Sequence, residues 1–309
     1  MWRSARGAAA CAVLVLLACD RSADRPVDAT GRRIAGRSGG ASDALERNTG
    51  WNAEAGGVLI LPSLDGGAMA ATIIRPEATD GQVGDTLGLA ATLGDQQVDL
   101  FARSGLVGSA QLARDLPPQL RAGCTAWPVA RLNASAVTPW TVAFPAGHVV
   151  AIPMDSLAAW PSADSLRVVT TLSQLAAALP DDTLSSFRGL RYVVRQAWRS
   201  RGEASGFLVA ILARRLNQED APREERIVLV VEQPGEDPAR WTVGWHERAS
   251  GLEESLVVAE PALAYRAGRG REVQLLFGRD DGRSLSAALL IRTDTGWQVA
   301  WESAQAGCD

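Results

Sequence analysis

Short apolar runs separated by polar links dominate the second half of the chain. Seven runs after residue 190 are rich in β-branched and aromatic residues, and Gly, Pro and Asp occupy the links between them. This pattern predicts strands joined by tight turns, which is typical of antiparallel sheets. The predicted strands are residues 191–200, 207–216, 227–232, 241–247, 273–277, 285–292 and 297–301.

The first half contains a weaker version of the same pattern. Apolar runs at 58–61 and 69–74 are separated by a turn signal rich in Gly and Asp. Runs at 87–93 and 97–103 flank the dipeptide Gly94-Asp95, and a two-residue link of this kind predicts a hairpin between them. Apolar positions in the second of these runs recur with a period of two, as a half-buried strand requires.

The period lengthens between the two halves. Apolar residues recur at helical spacing over about 164–179, Ser162 or Asp164 could cap the start, and Pro180 ends the pattern. The apolar positions are Leu166, Val169, Leu172, Ala176 and Leu179. The sequence therefore predicts a mainly β fold of antiparallel hairpins, in one or two related β-rich halves, with a central helical segment.

A motif of the form Trp-x-Val-small-aromatic occurs three times, at residues 140–144, 241–245 and 297–301. In a regular strand, its first, third and fifth side chains lie on one face. We therefore expect core strands that bury paired rings. The alternative is an exposed aromatic platform that binds a flat ligand.

Composition argues against several function classes. The 309-residue chain has a formal net charge of −4, which disfavours a nucleic-acid partner. Its two histidines, His148 and His246, lack the spacing of metal ligands. No phosphate-binding loop or dinucleotide-binding glycine pattern occurs. We therefore predict no cofactor and no metal, and the sequence singles out no catalytic residue.

The amino terminus carries a distinct signal. Arg3 and Arg6 precede an apolar run over residues 8–18 that ends in Leu16-Leu17-Ala18-Cys19. This arrangement resembles the lipobox of bacterial lipoproteins, in which the cysteine receives a diacylglyceryl group and the chain is cut before it. The resemblance implies that Cys19 is lipidated, with palmitate among the acyl chains. It also implies that the body is exported to the periplasmic or surface face of the cell envelope.

Two other interpretations of this segment remain open. A membrane-spanning helix needs roughly 20 apolar residues, and this run is about half as long. An ordinary signal peptide cut at another point would leave Cys19 unmodified.

The lipoprotein interpretation divides the chain into five parts. Residues 19–57 are polar and lack periodicity, so they cannot bury enough surface to fold. The parts are a signal peptide at 1–18, a flexible tether at 19–57, a β-rich half at 58–155, a helical connector at 156–190 and a second β-rich half at 191–309.

Four cysteines occur in the chain. Cys11 lies in the segment that would be removed, and Cys19 would carry lipid. Cys124 and Cys308 remain, and an oxidising envelope compartment predicts a disulfide between them. Two buried free thiols are the alternative.

Four arginines recur along the run 191–201 and would share one face of a strand. They are Arg191, Arg195, Arg199 and Arg201. Such a row is a candidate anion-binding site for lipid headgroups or envelope polysaccharide, because guanidinium groups bind phosphate and carboxylate. The alternatives are a charged edge strand or ion pairing within the chain. The acids named for such pairing are Glu203, Glu224 and Glu225.

Taken together, these features favour a lipid-anchored envelope protein that binds a partner or acts as a scaffold. Its expected contacts are the membrane, through the N-terminal lipid, and an envelope protein or polysaccharide. The alternative is an envelope hydrolase that acts on glycan or peptide through Asp and Glu residues, which a deep cleft lined by two carboxylates would favour. A small-ligand binder would instead need exposed Trp side chains on a concave surface.

Overall fold

A computed structural model provides the fold of the body. The residues that it describes are 59–63, 67–74, 93–114, 124–125, 127, 129–133, 139–180, 185–202, 206–217, 221–233, 240–257, 259–268, 272–280 and 284–308. The chain divides into two compact units, Met1–Ser42 and Asp43–Asp309, and every described residue belongs to the second.

The fold is mainly β, as the apolar periodicity predicts. The strands of the first half are β1 (Leu59–Ser63), β2 (Gly67–Ile74), β3 (Gln97–Ala102), β4 (Gly105–Arg114), β5 (Cys124–Thr125), β6 (Val129–Asn133), β7 (Val142–Pro145), β8 (Val149–Ile152) and β9 (Met154–Ser156). Those of the second half are β10 (Val193–Ser200), β11 (Phe207–Leu216), β12 (Arg223–Glu232), β13 (Thr242–Leu252), β14 (Glu260–Ala267), β15 (Gln274–Asp280), β16 (Ser284–Thr293), β17 (Gly296–Glu302) and β18 (Ala306–Cys308). All seven runs predicted after residue 190 coincide with strands.

Six strands of the first half close into a barrel. Their order is β1-β2-β6-β4-β3-β7, and β7 returns to β1 through the pair Ile60–Ala143. Ile60, Val98 and Leu112 are among the apolar side chains that fill the interior. Closure removes the sheet edges that an open six-stranded sheet would expose.

The remaining strands form two antiparallel sheets. The five-stranded sheet has the order β13-β12-β11-β10-β9. The seven-stranded sheet has the order β5-β18-β16-β15-β14-β8, with β17 also paired to β16. Strands β8 and β9 begin before residue 155, yet they pair with β14 and β10 from beyond residue 191. The proposed boundary at residue 155 therefore falls among strands that share sheets with the second half.

Three apolar clusters bind these parts into layers. One joins the barrel to the seven-stranded sheet through residues such as Phe144 and Leu276. Another joins the two sheets through residues such as Val209 and Phe277. The third packs a helix against the outer face of the five-stranded sheet. Strand β11 is thus covered on both faces, which explains its nearly unbroken apolar sequence.

The predicted helix is α1 (Ser162–Ala177). Leu172 and Ala176 are its buried residues, and Leu166 is exposed although it shares their spacing. Pro161, not Ser162 or Asp164, occupies the cap position, and no side chain there bonds to the helix. A proline suits this position because its missing N–H would have no partner within the helix.

The hairpin predicted around Gly94-Asp95 is wrong. Strand β3 pairs with β4 on one side and with β7 on the other, so neither edge is left for residues 87–93. The turn itself is present: Asp95 has a left-handed φ of 65°. It leads into the barrel, where the Asp95 N–H donates to the Leu112 carbonyl at 2.6 Å. Residues 87–92 lie outside the described residues.

Candidate ligand-binding cleft

A cleft of about 720 Å³ opens where the barrel meets the two sheets. The barrel contributes Leu61 and Trp140, and the seven-stranded sheet contributes Ala262 and Gly278. Most of the charged lining comes from the five-stranded sheet and from the segment after β13. The volume lies in the range of sites that bind small molecules, roughly 300–1,000 Å³.

Two side chains of the barrel fix the wall beside the cleft. Thr141 Oγ1 donates to the carbonyls of Ala262 at 3.0 Å and Phe101 at 3.3 Å. Arg103 Nε donates to the Pro261 carbonyl at 2.5 Å, and the guanidinium lies 4.6 Å from the centre of the Trp198 ring. The barrel is therefore tied to both sheets at the cleft by hydrogen bonds and a cation–π contact.

A β-bulge directs Arg195 towards the cleft. Val194 pairs with Leu212 and Gln196 pairs with Ile211, so Arg195 is an extra residue in β10. A bulge re-aims side chains from the regular alternation. As a result, both Arg195 and Gln196 line the cleft.

Three arginine–glutamate pairs at short distance line the cleft beside Arg195. Arg103 Nη2 lies 3.0 Å from Glu260 Oε2, and Arg215 Nη2 lies 2.5 Å from Glu253 Oε2. The guanidinium of Arg226 bonds to the carboxylate of Glu224, whose side chain is 3% exposed. Each of the three carboxylates is thus held by its own arginine.

The other arginines of the predicted row lie elsewhere. Arg191 is exposed before β10 begins, and Arg201 bonds to Asp155. This hydrogen bond lowers the pKa of the Asp155 carboxyl below its ordinary value. Arg199 lies 5.4 Å from the Trp160 ring centre and 5.8 Å from that of Trp241.

Of the four arginines, the structure therefore places only Arg195 in the cleft. The expected pairing of this run with Glu224 is present, since Arg195 Nη2 lies 3.9 Å from Glu224 Oε2. Glu203 is outside the described residues.

A second charged cluster is buried on the other face of the five-stranded sheet. Glu225 is fully buried and accepts hydrogen bonds from Tyr192 Oη at 2.6 Å and from Arg214 Nε at 2.5 Å. Arg248 Nε lies 4.0 Å from its other oxygen. Burial and the hydrogen bond to Glu225 raise the pKa of the Tyr192 hydroxyl well above its ordinary value. Adjacent acids in a strand point to opposite faces, so Glu224 faces the cleft and Glu225 faces this cluster.

Sequence reasoning missed most of the charged lining. The sequence pattern indicates Glu224 and Glu225 only as pairing partners for the arginine row, and it does not identify Arg215 or Arg226. A usable signal was present at the ends of two apolar strands, 207–216 and 223–232. Charged residues lie near the end of the first strand and at the start of the second. The register of the two strands sets Arg215 opposite Glu224.

The three tryptophan motifs do not form an aromatic platform. Trp140 packs inside the barrel, whereas Phe144 packs between the barrel and the seven-stranded sheet. Trp297 is buried between the two sheets, and Trp301 packs on the opposite face of the seven-stranded sheet. The rings of each motif are therefore divided between different clusters.

The described part of the chain contains no group of three His, Cys, Asp or Glu side chains that could hold a metal ion. His246 is exposed on β13. Within the same described ranges, no helix is both long enough and apolar enough to cross a bilayer. Cys19 and the rest of residues 1–58 lie outside the description.

Comparisons of this chain with protein-family models, with curated proteins and with solved structures found no match.

Proposed function

We propose that this chain is a lipid-anchored protein of the bacterial cell envelope whose β-rich body binds a ligand or partner in the cleft. The cleft is the observation that carries the binding role. Its volume lies in the range of ligand-binding sites, and hydrogen bonds and ion pairs join the elements that form its walls. The lipobox-like segment ending at Cys19 supports the anchor.

The anchor is tested at Cys19, with Cys11 as a matched control in the same segment. Labelled palmitate should be incorporated into the wild-type protein and into Cys11→Ser, and it should be absent from Cys19→Ser. Acyl chains contribute roughly 0.8 kcal/mol per buried methylene, so lipidation at this residue would hold the body at a membrane. Equal labelling of the two variants, or none in the wild type, would exclude lipidation at Cys19.

The lining also supports a second candidate, the envelope hydrolase. Glu224, Glu253 and Glu260 all line the cleft. Each of these carboxylates is already engaged by an arginine, however, whereas a catalytic acid needs an oxygen within hydrogen-bond reach of the substrate. The three arginine contacts therefore favour binding over proton transfer. Turnover of peptidoglycan or peptide by the purified protein, lost in Glu224→Gln and Glu253→Gln, would reverse this preference.

A further inference from the structure

The charges that line the cleft do not cancel. Four arginines and three glutamates contribute to its lining. Three of the arginines are taken up by close contacts with Glu224, Glu253 and Glu260. Arg195 is the fourth, so the lining carries one cationic charge without a dedicated carboxylate.

Arg195 is placed to meet a ligand. Its side chain is 51% exposed, and its ion pair with Glu224, at 3.9 Å, is the longest of those that the described residues form in the cleft. Glu224 already bonds to Arg226, so it competes weakly for the Arg195 donors. The adjacent Gln196 side chain is also exposed and lines the cleft. Together the two residues offer a planar guanidinium and an amide at one point of the wall.

The rest of the wall includes apolar surface. Pro62 and Leu256 are half-buried and line the cleft together with the buried side chains of Leu61, Ile211, Leu285 and Trp140. Apolar groups of a ligand would be stabilised by leaving water for this surface. A mixed lining of this kind suits a molecule with an apolar body and one polar end.

We infer that the cleft binds a monocarboxylate with an apolar body, and that Arg195 recognises the carboxylate. A guanidinium can donate two parallel hydrogen bonds to a carboxylate, which matches both its charge and its shape. This inference rests on the proposed binding function, because it names the class of ligand for the same cleft.

The test uses octanoate and octanamide as probes, measured by isothermal titration calorimetry on the full chain. The two probes have nearly the same shape and differ in charge. The wild type should bind octanoate at least about tenfold more tightly than octanamide, as expected for a charge-assisted pair. This comparison needs no variant and therefore does not depend on whether a substitution folds.

Matched variants then test whether Arg195 supplies the positive charge that contacts the carboxylate. Arg195→Gln should weaken octanoate binding at least about tenfold. Arg191 lies four residues before Arg195, on an exposed segment outside the cleft. Arg191→Gln should therefore bind octanoate like the wild type. Equal effects of the two substitutions, equal affinities for the two probes, or no saturable binding of octanoate would overturn the inference.

A third variant separates this inference from the proposed function. Gly278 lines the cleft, and a Cβ atom added there would meet nothing within 4 Å. A side chain at this position can therefore start into the cleft, and Gly278→Leu should fill part of it and reduce binding of both probes. If it does so while Arg195→Gln has no effect, the binding site stands and the carboxylate inference fails. If both probes bind Gly278→Leu and Arg195→Gln like the wild type, the cleft is not the site, and the proposed function fails as well.

Discussion

Arg195 and Arg199 lie on opposite faces of β10 because a bulge lies between them. With regular alternation, both would share one face of the strand. The extra residue shifts the register between Val194 and Gln196 and moves Arg195 to the cleft. Periodicity identified the run of arginines but could not locate the bulge, because a bulge depends on the partner strand.

The buried Glu225 illustrates a second limit of residue-level prediction. Nothing in the local sequence distinguishes it from Glu224, and both are charged residues near the start of an apolar strand. Their environments differ because helix α1 and its flanking segments cover one face of the sheet while the cleft opens on the other. Glu225 is fully buried, so its two hydrogen-bond donors are needed to offset the loss of water.

Tyrosine titration should report unfolding of the whole body. The chain has two tyrosines, Tyr192 and Tyr265, and burial raises the pKa of both hydroxyls well above the ordinary value. Because the pKa of each hydroxyl is higher in the folded than in the unfolded protein, the protonated tyrosines favour the folded state fully below about pH 10. This contribution to stability is lost as the pH rises further. Tyrosinate absorbance should therefore appear above pH 10 together with the loss of near-ultraviolet circular dichroism.

Two substitutions check the assignment of this effect. Tyr192→Phe should lower the free energy of unfolding at neutral pH by about 2 kcal/mol, because Glu225 loses a hydrogen bond. Among the described residues, no carboxylate accepts a hydrogen bond from Tyr265, so Tyr265→Phe should cost less. An ordinary titration near pH 10 in a protein that is still folded would contradict the prediction.

At the scale of elements, bulges explain why two of the three tryptophan motifs divide their rings. Val230 pairs with Trp245 and Val231 pairs with Val243, so Gly244 is an extra residue in β13. Trp241 and Val243 consequently pack towards the helix, whereas Trp245 packs between the sheets. A similar shift between Leu289 and Leu290 separates Trp297 from Trp301 on β17. The face prediction failed because it assumed unbroken alternation.

The bulge at Gly244 predicts a specific sensitivity to substitution. A Cβ atom there would lie 2.8 Å from Cδ1 of Trp297. That ring cannot move easily, because it is buried against Phe207 and its Nε1 donates to Glu232 at 2.7 Å. Gly244→Ala should therefore lower the free energy of unfolding by about 1–3 kcal/mol, as overpacking of a core does. Denaturant titration measures this loss.

Gly251→Ala is the matched control on the same strand. Its added Cβ would meet only Leu256 Cδ1, at an ordinary contact distance of 3.7 Å. This variant should unfold within about 0.5 kcal/mol of the wild type, as surface substitutions usually do. If the two variants proved equally stable, the close approach of Gly244 to Trp297 would have no energetic consequence.

At the scale of the whole molecule, the sequence predicts elements better than it predicts their arrangement. Local periodicity identified α1 and the later strands because side-chain spacing depends on near neighbours. Barrel closure and the pairing of β8 with β14 join distant parts of the chain, and no local pattern specifies them. The cleft lies where these distant parts meet, so its position was not predictable from the sequence.

One prediction from the sequence joins distant parts of the chain, namely the disulfide between Cys124 and Cys308. Strands β5 and β18 pair so that Cys308 lies directly opposite Cys124. Opposed residues of antiparallel strands have Cα atoms roughly 4.5–5.5 Å apart, and disulfides span roughly 4.4–6.8 Å between Cα atoms. The backbone register is therefore compatible with a disulfide that ties the carboxyl terminus to the first half of the chain.

The disulfide should make a large contribution to stability because it would close a long loop. In the chain-entropy model, a link from residue 124 to residue 308 stabilises the fold by about 5 kcal/mol. Cys124→Ser, Cys308→Ser and the double variant should then lose similar amounts, because either single substitution removes the whole link. Denaturant unfolding with and without reductant measures the loss, and the wild type under reductant should match the variants. Small, additive losses that do not respond to reductant would instead indicate two free thiols.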